Sequence, residues 1–221
     1  MNDPKCAKCK PRYCNQGIKE TKKLPDYCPM LNFKDIIVQA SGSYKKEDVF
    51  KFFLQAAITE KECYDEKFAR EEGKIFPLRP RIREISEFAK KIKASKLGLA
   101  FCGGLADEGA RVAAILESHD LDIVSVVCSC GAIDKTEVGI PKQQKIRDPN
   151  KFEATCNPLS QAAILNAVGT DFNVIVGLCV GHDMLFTQHS QAPVTTLIVK
   201  DRFTGHNPVI TLYSRYHKDI V

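Results

Sequence analysis

Leu97-Gly-Leu-Ala-Phe-Cys-Gly-Gly104 is the stretch on which the fold turns. Five uncharged, largely apolar residues are too few for a helix, and the cysteine and two glycines that follow end the run. A short, continuously apolar segment of this kind reads as a strand buried on both faces. Working outward, residues 106–118 carry apolar side chains at helical spacing. Asp122-Ile-Val-Ser-Val-Val127, Asn173-Val-Ile-Val-Gly-Leu178 and Val194-Thr-Thr-Leu-Ile-Val199 repeat the strand pattern. Strands alternating with helices require a sheet covered on both sides. Residues 97–221 are therefore expected to form an α/β domain with an open, mostly parallel, Rossmann-like sheet. Val209-Ile-Thr-Leu-Tyr213 is expected to add a last strand at an edge.

Ahead of this domain the sequence divides into a Cys-, Pro- and Lys-rich segment, 1–33, and a helical segment, 34–96, expected to pack on the core. In the second, Glu47 to Arg70 reads as one helix stopped near Gly73, and Pro80 opens a second amphipathic stripe through Ile82, Ile85, Phe88, Ala89 and Ile92. With 44% apolar and 27% charged residues the composition is that of a globular protein. No run approaches the roughly 20 apolar residues of a membrane span. The opening MNDPKCAKCK has no apolar core, so it does not read as a secretory signal, and a cytoplasmic location is expected. Residues 1–96 hold 22 Lys+Arg against 14 Asp+Glu, and residues 97–221 hold 10 against 13. The basic half interleaves its lysines with glutamates, as at Glu60-Lys-Glu62. That favours a solvated helix face over a nucleic-acid surface.

Ten cysteines in a chain read as cytoplasmic argue for metal ligation or thiol chemistry rather than disulfides. Cys6, Cys9, Cys14 and Cys28 form C-x2-C-x4-C-x13-C, a set that suits a structural zinc or one iron–sulfur cluster. The segment around them is too polar to fold without such a staple. Cys102, Cys128, Cys130 and Cys179 each follow an expected strand, at the sheet edge where open parallel sheets build their sites. Cys156 precedes Asn157 and Pro158, an N-cap and first helical residue, and a helix N-terminus lowers a thiol's pKa. Cys102, Cys128, Cys130, Cys156 and Cys179 are thus candidates to hold an iron–sulfur cluster, with Cys156 and His182 as the candidate catalytic pair. Of Cys128 and Cys130, one residue apart on an extended segment, only one is expected to face the cleft. Cys63 reads as a packing residue. His182 is balanced between a ligand or proton carrier and a solvated neighbour of an Asp183 cap. His206 is a weaker candidate, Lys135 and Glu137 are candidate cleft neighbours, and His119, His189 and His217 read as surface residues.

Cys156-Asn-Pro-Leu-Ser-Gln-Ala162, Thr170-Asp-Phe-Asn173, Gly177-Leu-Cys-Val-Gly-His-Asp183, Ser190-Gln-Ala-Pro-Val-Thr-Thr-Leu197 and Val199-Lys-Asp-Arg202 through His206-Asn-Pro208 resemble a prokaryotic family of unknown function described as predicted metal-binding proteins. With the N-terminal cysteines the resemblance covers essentially the whole chain. It implies metal binding and brings no reaction, substrate or catalytic residue. Three readings stay open: a metalloprotein acting on a small polar or sulfur-containing substrate, a metal-free thiol enzyme using Cys156 and His182, and a non-catalytic metal carrier, sensor or docking module. The substrate and the oligomeric state are not legible.

Overall fold

The computed structural model describes residues 2–217, which fall into two compact units divided between Ile58 and Thr59. The first holds the short helix α1 (Pro29–Asn32), α2 (Lys34–Gly42) and most of α3 (Glu47–Glu62). Interleaved charge on the helix surface forms i,i+4 pairs such as Glu47–Lys51, each worth a few tenths of a kcal/mol.

The expected single helix from Glu47 to Arg70 is broken in two. After α3 the chain leaves the helix at Cys63 and Tyr64, which run antiparallel to residues 76–78. Leu78 donates its N–H to the Cys63 carbonyl at 2.7 Å, and Asp65 donates to that of Phe76 at 3.0 Å. Asp65 then caps α4 (Glu66–Glu72), its carboxylate accepting the Phe68 N–H at 3.0 Å, and Gly73 closes the helix in the left-handed region. A capping aspartate inside an apolar periodicity has overridden the periodicity. Cys63 is buried and its thiol donates to the Thr59 carbonyl at 3.1 Å.

The second unit is built on four parallel strands: β1 (Lys96–Phe101), β2 (Asp122–Val127), β3 (Phe172–Val176) and β4 (Val194–Ile198), in the order β2-β1-β3-β4. The open, parallel α/β architecture expected of residues 97–221 is the one found. Helices α5 (Arg81–Lys91), α6 (Ala106–Glu117), α7 (Pro158–Val168) and α8 (His182–His189) cover the sheet. Helices α5 and α6 touch one another, as do α7 and α8. All five residues of β3 are buried, which is why the central strands lack the polar alternation of a half-exposed sheet. Ile85 and Ala89 carry α5 into the core, and Phe88 meets Phe172 edge-on with centroids 6.4 Å apart.

Val209–Tyr213 corrects the expectation of a fifth strand: it is a short helix, α9. Its β-branched residues suit a strand, but the segment pairs with no strand, and Val209, Leu212 and Tyr213 are exposed. Without a neighbour to take its N–H and C=O groups the backbone satisfies itself locally. Pro208 sits in the α region ahead of it, with Thr211 Oγ1 donating to the Pro208 carbonyl at 2.8 Å. Among the described residues no helix is long and apolar enough to cross a membrane.

Candidate functional site

The sheet register brings the strand-end cysteines together. Phe101 lies opposite Val127 on one side and Val176 on the other, so β1, β2 and β3 finish in one row. One residue further, Cys102 donates its N–H to the Val176 carbonyl at 3.1 Å, and Cys128 donates to that of Phe101 at 2.8 Å. The chain passes outward from β1 to β2 and returns to β3 on the far side of β1. The ends of β1 and β3 thus flank the switch point, where open α/β sheets have their crevice.

Two bonds from α7 seat Cys156 against this edge. The Asn157 N–H reaches the Cys128 carbonyl at 2.6 Å, and its side chain caps the helix by accepting the Ser160 N–H at 3.0 Å. Gln161, one turn on and fully buried, donates its amide to the Val126 carbonyl at 2.7 Å and to that of Phe101 at 3.2 Å, strapping the ends of β1 and β2 from below.

The thiols of Cys102, Cys128 and Cys156 act on one another in series. The bond to Cys128, with burial, pushes Cys102 up to about 12. Cys128 is drawn down by the bond from Cys102, but its own bond to Cys156 and its burial leave it raised. Cys156, at the receiving end, is lowered by the bond from Cys128. The proton of the series is therefore lost first at the helix N-terminus, where free N–H groups favour negative charge. Cys179 is close enough to act electrostatically on Cys156. Cys130 stands apart: its contact is with its own backbone amide, and burial raises its thiol. Of the neighbouring pair, Cys128 is the one engaged with the other thiols.

Cations surround the group. Lys200 Nζ lies 3.4 Å from Cys102 Sγ, Arg202 Nη2 lies 2.9 Å from Cys179 Sγ, and the Gly103 N–H points at Cys128 Sγ from 3.3 Å. Neither Lys200 nor Arg202 was a candidate from sequence, although both follow a strand end as the cysteines do. His182 starts α8, its N–H bonded to the Cys179 carbonyl and its buried Nδ1 without a hydrogen-bond partner among the described residues. The Asp183 carboxylate accepts the N–H groups of Gly181 and Met184. The remaining histidines are structural or peripheral. His206 Nδ1 accepts the Asp201 N–H, closing a turn, and His189 Nδ1 meets the Leu185 carbonyl. His119 is bonded through its backbone, and the His217 side chain lies outside the described residues.

The four N-terminal cysteines, Cys6, Cys9, Cys14 and Cys28, line one cavity of about 230 Å³ together with Tyr13 and Tyr27. All ten cysteines are free thiols. Among the described residues no three His, Cys, Asp or Glu side chains are drawn round a single metal-sized point.

The sequence pattern of a family described as "Protein of unknown function (DUF1847)" matches residues 28–197. The chain belongs to that family. It is also 40% identical, over 213 residues, to an uncharacterised protein of Methanocaldococcus jannaschii, the alignment covering 96% of this chain and 95% of that one. Cys102, Cys128, Cys130, Cys156 and Cys179 all lie inside the stretch that matches the DUF1847 pattern, whereas Cys6, Cys9 and Cys14 precede it. The family's description names no metal.

The long connection from Cys128 to Asn157 is held by charge. Asp134 accepts from Thr136 N–H and Oγ1, the Glu153 N–H and Lys145 Nζ, the last at 2.9 Å with its side chain almost fully enclosed. Glu153 pairs with Lys135 and accepts the N–H groups of Ile146 and Arg147. The Glu137 carboxylate accepts the Asp134 N–H. Hydrogen bonding from Thr136 and Lys145 holds Asp134 well below the usual carboxylate range, and Lys135 with two amides holds Glu153 down at about 2. Depressed carboxylates stabilise the folded loop above their unfolded pKa of about 4, and that contribution is lost as pH falls toward the folded values. Acidification from pH 5 to pH 2 is therefore expected to lower the protection of the amides in residues 131–155, measured as exchange relative to the intrinsic rate at each pH, before the sheet opens. Simultaneous loss of protection in loop and sheet would contradict this.

Proposed function

We propose that the chain is a cytoplasmic metalloprotein with two separate cysteine-ligated centres, the second of them the reacting one. The observation that carries this reading is the sorting of the thiols: eight of the ten gather into two groups, and the other two, Cys63 and Cys130, engage in neither. Thiolates are soft donors and select zinc, copper(I) or iron–sulfur clusters over magnesium or calcium. The donors available to a metal at the sheet edge are Cys102, Cys128, Cys156 and Cys179, and the Lys200 and Arg202 charges offset the negative charge such a set accumulates. An iron–sulfur cluster held there would supply electron transfer or, at an iron with an open position, Lewis acidity. The protein's own groups provide the rest: the α7 N-terminus favours the Cys156 thiolate, Gln161 fixes the strand ends beneath it, and His182 brings a proton-carrying ring beside the Cys179 turn. At the N-terminus, Cys6, Cys9, Cys14 and Cys28 would hold a structural zinc or a cluster around their shared cavity.

The test is anaerobic purification followed by a visible spectrum and assays of iron, zinc and acid-labile sulfide per chain. Absorbance near 400 nm that survives C6A/C9A and disappears when C156A is added to that variant is expected; zinc alone, at one per chain, would exclude the cluster at the sheet edge. A second reading is favoured by one specific feature, the lowered pKa of Cys156 beside Cys128. In a thiol enzyme Cys156 would attack an electrophilic substrate. That reading requires a metal-free chain in which iodoacetamide labels Cys156 at least tenfold faster than Cys130, whose thiol burial raises.

A further inference from the structure

Lys200 and Arg202 stand on the turn after β4, and the acid between them is spent within that turn. The Asp201 carboxylate accepts the N–H groups of Phe203 and Thr204, while the Asp201 backbone is tied to His206 in both directions. Among the described residues neither cation has a carboxylate partner, whereas Lys135 has Glu153 and Lys145 has Asp134. Lys200 is half-buried. Each cation is left instead to a sulfur, a weak hydrogen-bond acceptor. An ammonium and a guanidinium held at the switch-point edge of the sheet with only weak acceptors have donor capacity in reserve, and planar or tetrahedral oxyanions match it best. The room for Lys200 is provided by Gly104: a Cβ there would lie 3.3 Å from Nζ and 3.9 Å from Cys102 Sγ.

We infer that Lys200 and Arg202 form the anion-recognising wall of the crevice, and that the small molecule taken up beside Cys102 and Cys179 carries a carboxylate or an oxyacid group of phosphorus or sulfur. This rests on the crevice being the reacting site proposed above, but not on which metal, if any, it holds. Arg202 is exposed and takes the first encounter; Lys200, set deeper against Cys102, fixes the anion over the thiols.

The test titrates the full chain, as purified, with inorganic phosphate, sulfate and malonate at constant ionic strength, with neutral malonamide as control, by calorimetry. Metal content is measured on the same samples. At least one anion is expected to bind saturably, one per chain, and malonamide not at all. Lys200→Gln or Arg202→Gln should weaken that binding roughly tenfold, the loss of one charge-assisted contact. Lys200→Arg, which keeps the charge, should retain most of it, and Gly104→Ala should weaken it by crowding Nζ. Absence of saturable binding by all three anions overturns the inference. So does binding that the double variant leaves intact, or a double variant that loses metal while its anion affinity is unchanged, since the cations would then serve the thiolates alone. A chain that binds the anion but contains no metal fails the metalloprotein reading and leaves this one standing.

Discussion

Gly98→Ala is expected to lower the stability of the α/β unit by about 3 kcal/mol, the upper end for overpacking a core. Gly98 sits in the middle of β1, paired with Val124 on one side and Asn173 on the other. A Cβ there would come within 1.9 Å of Asn173 Oδ1 and 2.8 Å of Leu165 Cδ1. Asn173 cannot turn away freely, because it is fully buried, Thr170 Oγ1 donates to its Oδ1 at 2.8 Å, and its Nδ2 donates to Ser190 Oγ at 2.8 Å. Displacing it leaves Thr170 and Ser190 short of partners in a buried place, which adds to the steric cost. The measurement is thermal unfolding, with the midpoint of the α/β unit expected to fall by roughly 10 °C. The double variant G98A/N173A should recover part of the loss, since it removes the atom struck. An unchanged midpoint in Gly98→Ala would show that the β1–β3 pair is looser than described.

Gly177→Ala is expected to cost a similar amount, about 3 kcal/mol, and to disturb the thiol group as well. Gly177 has φ +68°, a conformation alanine adopts at a cost of about 1–2 kcal/mol. Its new Cβ would also stand 2.7 Å from Leu105 Cδ2 and 3.0 Å from Cδ1, in a side chain with no exposed surface. Gly177 is the first residue beyond β3, its N–H bonded to the Ile198 carbonyl at 2.8 Å, and it directs the chain toward Cys179. Relaxing the strain moves Cys179 away from Arg202 Nη2. Two readouts are expected to change together: the unfolding midpoint falls, and the alkylation rate of Cys179 in the reduced chain shifts while that of Cys63 does not. A lower midpoint with Cys179 reactivity unaltered would confine the residue to a packing role.

Much of this was legible in local sequence, for identifiable reasons. The runs of β1 and β3 are almost wholly uncharged and buried because the middle of the sheet is covered on both faces, while β2 and β4 at its edges admit Ser125, Thr195 and Thr196; the found strands differ from the expected ones by a residue or two at their ends. Asn157-Pro158 announced the start of α7, since capping and a proline at the first helical position are properties of a few adjacent residues. That Cys102, Cys128, Cys130 and Cys179 should stand at one edge was readable from strand ends, because a parallel sheet sends all its strand ends the same way; Cys156 was readable only from the helix start that follows it. Other features were hidden. Val209–Tyr213 has a strand's composition, and only the lack of a pairing partner makes it a helix. Asp65 looks like any polar residue on an amphipathic surface until the chain turns back to pair with residues 76–78.

The α/β class, the positions of the four strands and the edge toward which the cysteines run can be read along the chain, because these rest on burial patterns and caps that act over a few residues. Folding was needed to show which thiols influence one another, that Cys128 rather than Cys130 joins the series, and that Lys200 and Arg202 reach Cys102 and Cys179 across 98 and 23 residues. Those contacts depend on strand register and on where each acid in the neighbourhood is already spent. Such quantities are set by the packing of distant segments, and no local pattern encodes them.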